Sequence, residues 1–147
     1  FEVRLDDLAA EIGRTFMLTR GRSVRNIRLE MALTPALTTN DCAVPMAFLM
    51  GEGLAHALGV LGPVGPALLA MALYTEADGS IIFALSSAQT TANRPLSPTA
   101  RRLMDAFALQ LGAEISHPQT GPEIVRIKLP PGTGKDDAAG KDGAAGL

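Results

Sequence analysis

The chain has 147 residues, 47% hydrophobic, 19% charged and 4% aromatic, with a formal net charge of −2. That composition is one domain's worth of aliphatic core, which excludes a disordered chain. The near-neutral charge and the lack of a long basic run argue against a nucleic-acid groove, and the single cysteine, Cys42, excludes an internal disulfide.

Glu2 to Leu5 reads as a short extended entry. Asp6 or Asp7 can cap a helix that buries Leu8, Ile12, Phe16 and Leu18 and ends near Thr19 to Gly21. Ser23 to Leu33 alternates Val24, Ile27, Leu29, Met31 and Leu33 with polar neighbours, as a strand does. Arg14, Arg20, Arg22, Arg25 and Arg28 fall here among acidic residues and read as a solvated face or a partner contact. Thr34 to Asp41, with Pro35, reads as a loop. Asp41 is a candidate N-cap for a helix to about Leu58, with Pro45 in its first turn. Val44, Phe48, Leu54 or Ala55, and Leu58 mark its apolar side. Gly51 and Gly53 cost that helix about 1 kcal/mol each relative to Ala, which close packing would explain. Cys42 reads as a buried structural thiol, and its isolation fits a reducing cytoplasm. The apolar run from Ala43 to Leu73 is interrupted by Glu52, His56, Pro63 and Pro66, short of the ~18 residues that a membrane span needs. We therefore expect no nucleic-acid partner and no membrane contact.

Gly59 to Pro66 is a turn-rich loop. Ala67 to Thr75 and Ser80 to Ser86 form two strands joined through Asp78-Gly79, a strong hairpin signal. Ser87 to Pro98 is a polar loop with two prolines. Ser97 or Thr99 caps a third helix to about Leu111, with Leu103, Phe107 and Leu111 at i, i+4 and i+8, and Gly112 stops it. Short strands at Glu114 to Ser116 and Glu123 to Leu129 flank a turn, His117 to Pro122, in which His117 reads as a surface residue. Residues 131–147, rich in Gly, Ala, Asp and Lys, read as a disordered tail after a domain spanning 1–130. Gly132 to Lys135 (GTGK) has neither the spacing nor the helix of a phosphate loop. Helices and strands do not alternate one for one, so the expected class is α+β: a mixed, mostly antiparallel sheet with three helices on one face. Phe16, Phe48, Phe83 and Phe107 are the few large core residues.

Three stretches carry a resemblance to a known family: Ala43 to Leu58 (AVPMAFLMGEGLAHAL), Ala77 to Leu85 (ADGSIIFAL) and Arg102 to Ala113 (RLMDAFALQLGA). In that order they resemble the ATPase-like domain of bacterial sensor histidine kinases, with the HWE type nearest, over about Val3 to Pro130. The resemblance implies ATP and Mg²⁺ as cofactors, held by a Glu and an Asn one helical turn apart. Here Glu52 stands at the Glu position and His56 at the Asn position. An imidazole is a poor ligand for Mg²⁺, which prefers oxygen. The Asp that would accept from the adenine falls on Ser87, the glycines beside it on Gln89 and Thr91, and Thr120 precedes the last strand. The lid glycines are replaced by Ser97, Pro98, Thr99 and Ala100. Glu52 is thus the one candidate catalytic residue, and the nucleotide site is expected to be degenerate, with no cofactor retained. The resemblance further implies a cytoplasmic phosphorelay role, with a response-regulator receiver domain and an upstream helical dimerisation domain as partners. The start at Phe1, without Met, agrees with a piece of a longer protein. Two alternatives stay open: a working kinase domain that binds ATP and Mg²⁺ and phosphorylates a histidine on the dimerisation domain, and a non-catalytic α+β interaction domain.

Overall fold

A computed structural model describes residues 2–20, 26–61, 66–90 and 93–132. In chain order these form β1 (Glu2–Arg4), α1 (Leu5–Arg20), β2 (Ile27–Leu33), β3 (Leu37–Thr39), α2 (Asn40–Leu61), β4 (Ala67–Thr75), β5 (Ile81–Ser86), α3 (Pro98–Leu111), β6 (Glu114–Ser116) and β7 (Glu123–Leu129). The main sheet runs β2-β4-β5-β7-β6, and β1 pairs with β3 apart from it. Only the β2–β4 pair is parallel; β4–β5, β5–β7 and β6–β7 are antiparallel. The expected mixed sheet with three helices is what forms.

The hairpin closes for the reason its sequence gives. Gly79 takes φ 92°, which an L side chain resists, while the Asp78 carboxylate accepts the Ser80 N–H at 2.9 Å. In α3, the Ser97 hydroxyl accepts from the Ala100 N–H and Gly112 ends the helix in the left-handed region.

Ile81, Phe83 and Leu85 of β5 and Leu69, Met71 and Leu73 of β4 point to the helices, and Leu49, Met50 and Leu54 of α2 cover them. Gly53 lies where α2 approaches the sheet closely: a Cβ there would meet Leu85 at 3.4 Å and Val125 at 3.6 Å. Gly51 has open space beside it, so the packing argument explains only one of the two glycines. The opposite sheet face is not bare. Ile82, flanked in register by Tyr74 and Lys128, is fully buried there. Arg126 donates to the Tyr74 hydroxyl at 2.9 Å and Lys128 pairs with Glu76 at 3.5 Å, so long side chains roof the sheet with their stems.

Several expectations need correction. Residues 37–39 are not loop but β3, because β1 supplies an antiparallel partner with Val3 opposite Thr38. The helix expected from Asp41 to about Leu58 runs Asn40–Leu61, and Asp41 sits inside its first turn rather than capping it. Its apolar side is not the Val44 side. Val44 is 71% exposed, whereas Ala43, Met46, Leu49, Met50, Leu54 and Ala57 are buried, because α2 is gripped by the sheet, α1 and α3 together. In α3 the inward stripe is Met104, Phe107, Ala108 and Leu111, and Leu103 is 43% exposed. Of the four aromatic residues expected in the core, Phe83 is fully buried, while Phe48 and Phe107 stack at its rim, 4.5 Å between ring centres. Cys42 is partly exposed near the start of α2. By length and composition α2 could cross a membrane, but its buried residues make it a core helix. The residues of the predicted first strand before 26, and the tail from 133, lie outside the described residues.

Asp6 does not cap α1 either. Its carboxylate accepts from Arg4 at 2.6 Å and from the Ala36 N–H at 3.3 Å, which ties α1 to the segment before β3. The Arg4 guanidinium holds the Asp6 carboxyl below the usual carboxylate range; burial opposes this and the Ala36 N–H adds to it. A lowered folded pKa means stability that is complete above the unfolded value of about 3.9 and is lost as pH falls through the folded value. Asp6→Asn should therefore lower the melting temperature at pH 7 and flatten its decline below about pH 4. Thermal melts of both proteins between pH 2 and 7 measure this; parallel curves would contradict it.

Candidate functional site

The site begins where β5 ends. The Ser87 N–H donates to the Pro122 carbonyl at 2.9 Å, which ties the loop after β5 to the turn before β7. The Ser87 hydroxyl donates to Gln89 Oε1 at 2.9 Å, and that oxygen also accepts from the Leu68 N–H at 3.2 Å. Ser87 and Gln89 thus hold each other and the start of β4. Neither lines the cavity on α2. Thr120 is exposed in the turn, and Thr91 lies outside the described residues. Of the candidate positions among the described residues, Glu52 and His56 are the two that line this cavity: one helical turn apart on α2, they face a volume of about 450 Å³.

The chain meets α2 at Asn93, whose N–H donates to the Gln119 carbonyl at 3.1 Å. Its carboxamide then bridges two elements. Nδ2 donates to the Ile124 carbonyl of β7 at 2.8 Å, and Oδ1 accepts from the Arg94 N–H at 2.8 Å and meets His56 Nε2 at 3.1 Å. The Ile124 and Arg94 bonds fix which end of the amide is oxygen, and an amide oxygen only accepts, so His56 carries its proton on Nε2. Pro95 disfavours the helical region for Arg94, and the chain stays non-helical until Ser97 caps α3. The Arg94 guanidinium lies over Gly59, where any side chain on α2 would collide with it. Arg94, Pro95, Leu96 and Ser97 form the cavity's second wall.

His117 is not the surface residue that the turn suggested. It is partly buried, its ring meets His56 edge-on at 5.5 Å and 81°, and its Nδ1 is buried with no partner among the described residues. Asn93, Arg94 and His117 are the site residues that sequence reasoning missed. Their one local signal is a proline next to each pair, Asn93-Arg94-Pro95 and His117-Pro118, which fixes backbone but says nothing of α2. Among the described residues no group of three or more His, Cys, Asp or Glu could hold a metal ion.

Burial pushes the His56 pKa down; the Asn93 contact opposes this and Arg94 reinforces it. For His117 burial again comes first, then His56 and Arg101, with Asp105 opposing. Both shifts favour the neutral imidazole. Stability from a buried neutral His is complete above the unfolded pKa of about 6.5 and is lost as pH falls below it toward the lowered folded value. His117→Phe, which keeps the ring contact and removes one titration, should shrink the loss of stability between about pH 7 and 5. Urea melts across that range read the slope directly, and an unchanged slope would contradict a neutral His117.

No protein-family model matches the sequence. No curated protein matches it closely. Solved structures do match. The histidine kinase domain of the Erythrobacter litoralis blue-light activated histidine kinase superposes with a TM-score of 0.69 at 18% identity, over 84% of this chain and 60% of that one. A second structure of that kinase matches at 0.69 and 16%, over 87% of this chain and 45% of that one. The mycobacterial sensor histidine kinase MprB matches at 0.67 and 14%, over 88% of this chain and 96% of that one. The chain thus spans about half of the Erythrobacter chains and nearly all of the mycobacterial one. At these identities the likeness is one of fold, and the fold of this chain is that of histidine kinase catalytic domains.

Proposed function

We propose that the chain is the ATPase-like domain of a two-component histidine kinase or histidine phosphotransferase in which nucleotide binding is weak or lost. In this reading it serves cytoplasmic phosphorelay signalling as a regulatory module. It docks a response-regulator receiver domain and is joined to an upstream helical dimerisation domain. The observation that carries the reading is the Asn93 bridge. The position where the family's Asn would offer an oxygen to Mg²⁺ is His56, and its Nε2–H is already spent on Asn93. Magnesium takes oxygen ligands in octahedral array and dehydrates reluctantly. Among the residues on this cavity, Glu52 alone brings a carboxylate, with the Arg94 cation on the facing wall. That donor set does not fit a magnesium ion. Ser87, in place of a carboxylate for the adenine, has its hydroxyl committed to Gln89.

Each lost partner costs about 1–3 kcal/mol, so losing the metal ligand and the adenine acceptor together weakens binding by about 30-fold to 10⁴-fold. Titration of the purified domain with a fluorescent ATP analogue, with and without Mg²⁺, should show no saturation in the micromolar range and no strengthening by the metal. Micromolar, Mg²⁺-dependent binding abolished by Glu52→Gln would establish a working kinase domain instead.

A further inference from the structure

The cavity between α2 and residues 93–100 retains about 450 Å³, within the range of small-molecule sites, although its donor set does not suit a metal. Two charges line it. Among the described residues neither the Glu52 carboxylate nor the Arg94 guanidinium has an ion pair or a side-chain hydrogen bond. They sit at opposite ends: Arg94 lies over Gly59, and Glu52 is seven residues earlier on α2, about 10 Å at 1.5 Å per residue. Between them Ala55, Pro95 and Leu96 give an apolar middle. Ser97 and Ala100 place the start of α3 on the same cavity, where the helix dipole favours negative charge.

From this polarity we infer that the cavity binds, without a divalent metal, a small phosphomonoester whose phosphate pairs with Arg94 and whose far end donates an N–H to Glu52. A guanidinium fork meets a phosphate in two parallel charge-assisted bonds, which supplies the anchoring that a metal ion would otherwise give. A carboxylate accepts from an amino group and repels a second anion, so the ligand is anionic at one end only. His56 stays with Asn93 and takes no part. The inference rests on the reading of this cavity as one that has given up magnesium.

The probe is adenosine monophosphate in EDTA, which carries a phosphomonoester on a ribose and, on the far edge of a flat purine ring, an amino group. Calorimetric titration of the domain should give saturable binding in the high-micromolar to low-millimolar range. Adenosine, lacking the phosphate, should bind at least about tenfold more weakly, as should the probe to Arg94→Gln. Arg94→Lys should recover part of the loss, which a merely unfolded loop would not. Replacing EDTA by Mg²⁺ should leave the affinity within about twofold. No saturation by about 10 mM, equal binding of adenosine, or an Arg94→Gln variant that binds as well as the parent would each overturn the inference. Failure of the underlying reading looks different: Mg²⁺ would strengthen the binding of a nucleoside triphosphate, and Glu52→Gln would abolish it.

Discussion

The burial of α2 is the constraint on which the rest depends. Met46, Leu49, Met50, Leu54 and Ala57 are fully buried between the sheet, α1 and α3. Removing a side chain of that size from such a position costs about 2–5 kcal/mol, a large part of the stability of a domain this size. Once that packing sets the rotation of α2, Glu52 and His56 have one place to go, the partly exposed side that faces the segment after β5. The site is a consequence of a core helix rather than an independent feature.

The second link is Asn93. It is one side chain on a loop, yet it joins α2 to β7 through His56 and the Ile124 carbonyl. A half-buried amide with its groups satisfied fixes a loop as firmly as packing does. The loop and the turn 117–122 then hold each other through the Gln119 and Pro122 carbonyls. His117, pressed against His56, belongs to the same unit. The candidate positions that do not reach the cavity, Ser87 and Gln89, act at the other end of this loop, where they secure the exit from β5. The chemistry of the cavity is therefore set by two residues of α2 and by Arg94.

Much of the fold was legible because it is written locally. The Asp78-Gly79 turn, the Ser97 cap and the Gly112 stop are short-range chemistry, and the elements beside them match the structure closely. β3 was not legible because its reason for being a strand is β1, more than thirty residues away in sequence. The face of α2 was misread because an Ala- and Leu-rich helix gives little contrast between sides, and α2 is buried on more than one; in α3 only Leu103 was misplaced, while Phe107 and Leu111 pack on the core as expected. Glu52 and His56 could be paired from spacing alone. Asn93, Arg94 and His117 could not, since two separate loops bring them to the helix.

The central claim is that this scaffold keeps the fold of a histidine kinase catalytic domain while its pocket no longer suits a metal-bound nucleotide. A crystal structure of the domain grown with Mg²⁺ and a non-hydrolysable ATP analogue tests it most directly. The account predicts the Asn93 amide still against His56 and Ile124, with no metal ion on Glu52. A magnesium ion ligated by Glu52 and bridging the phosphates, with Asn93 displaced, would contradict it.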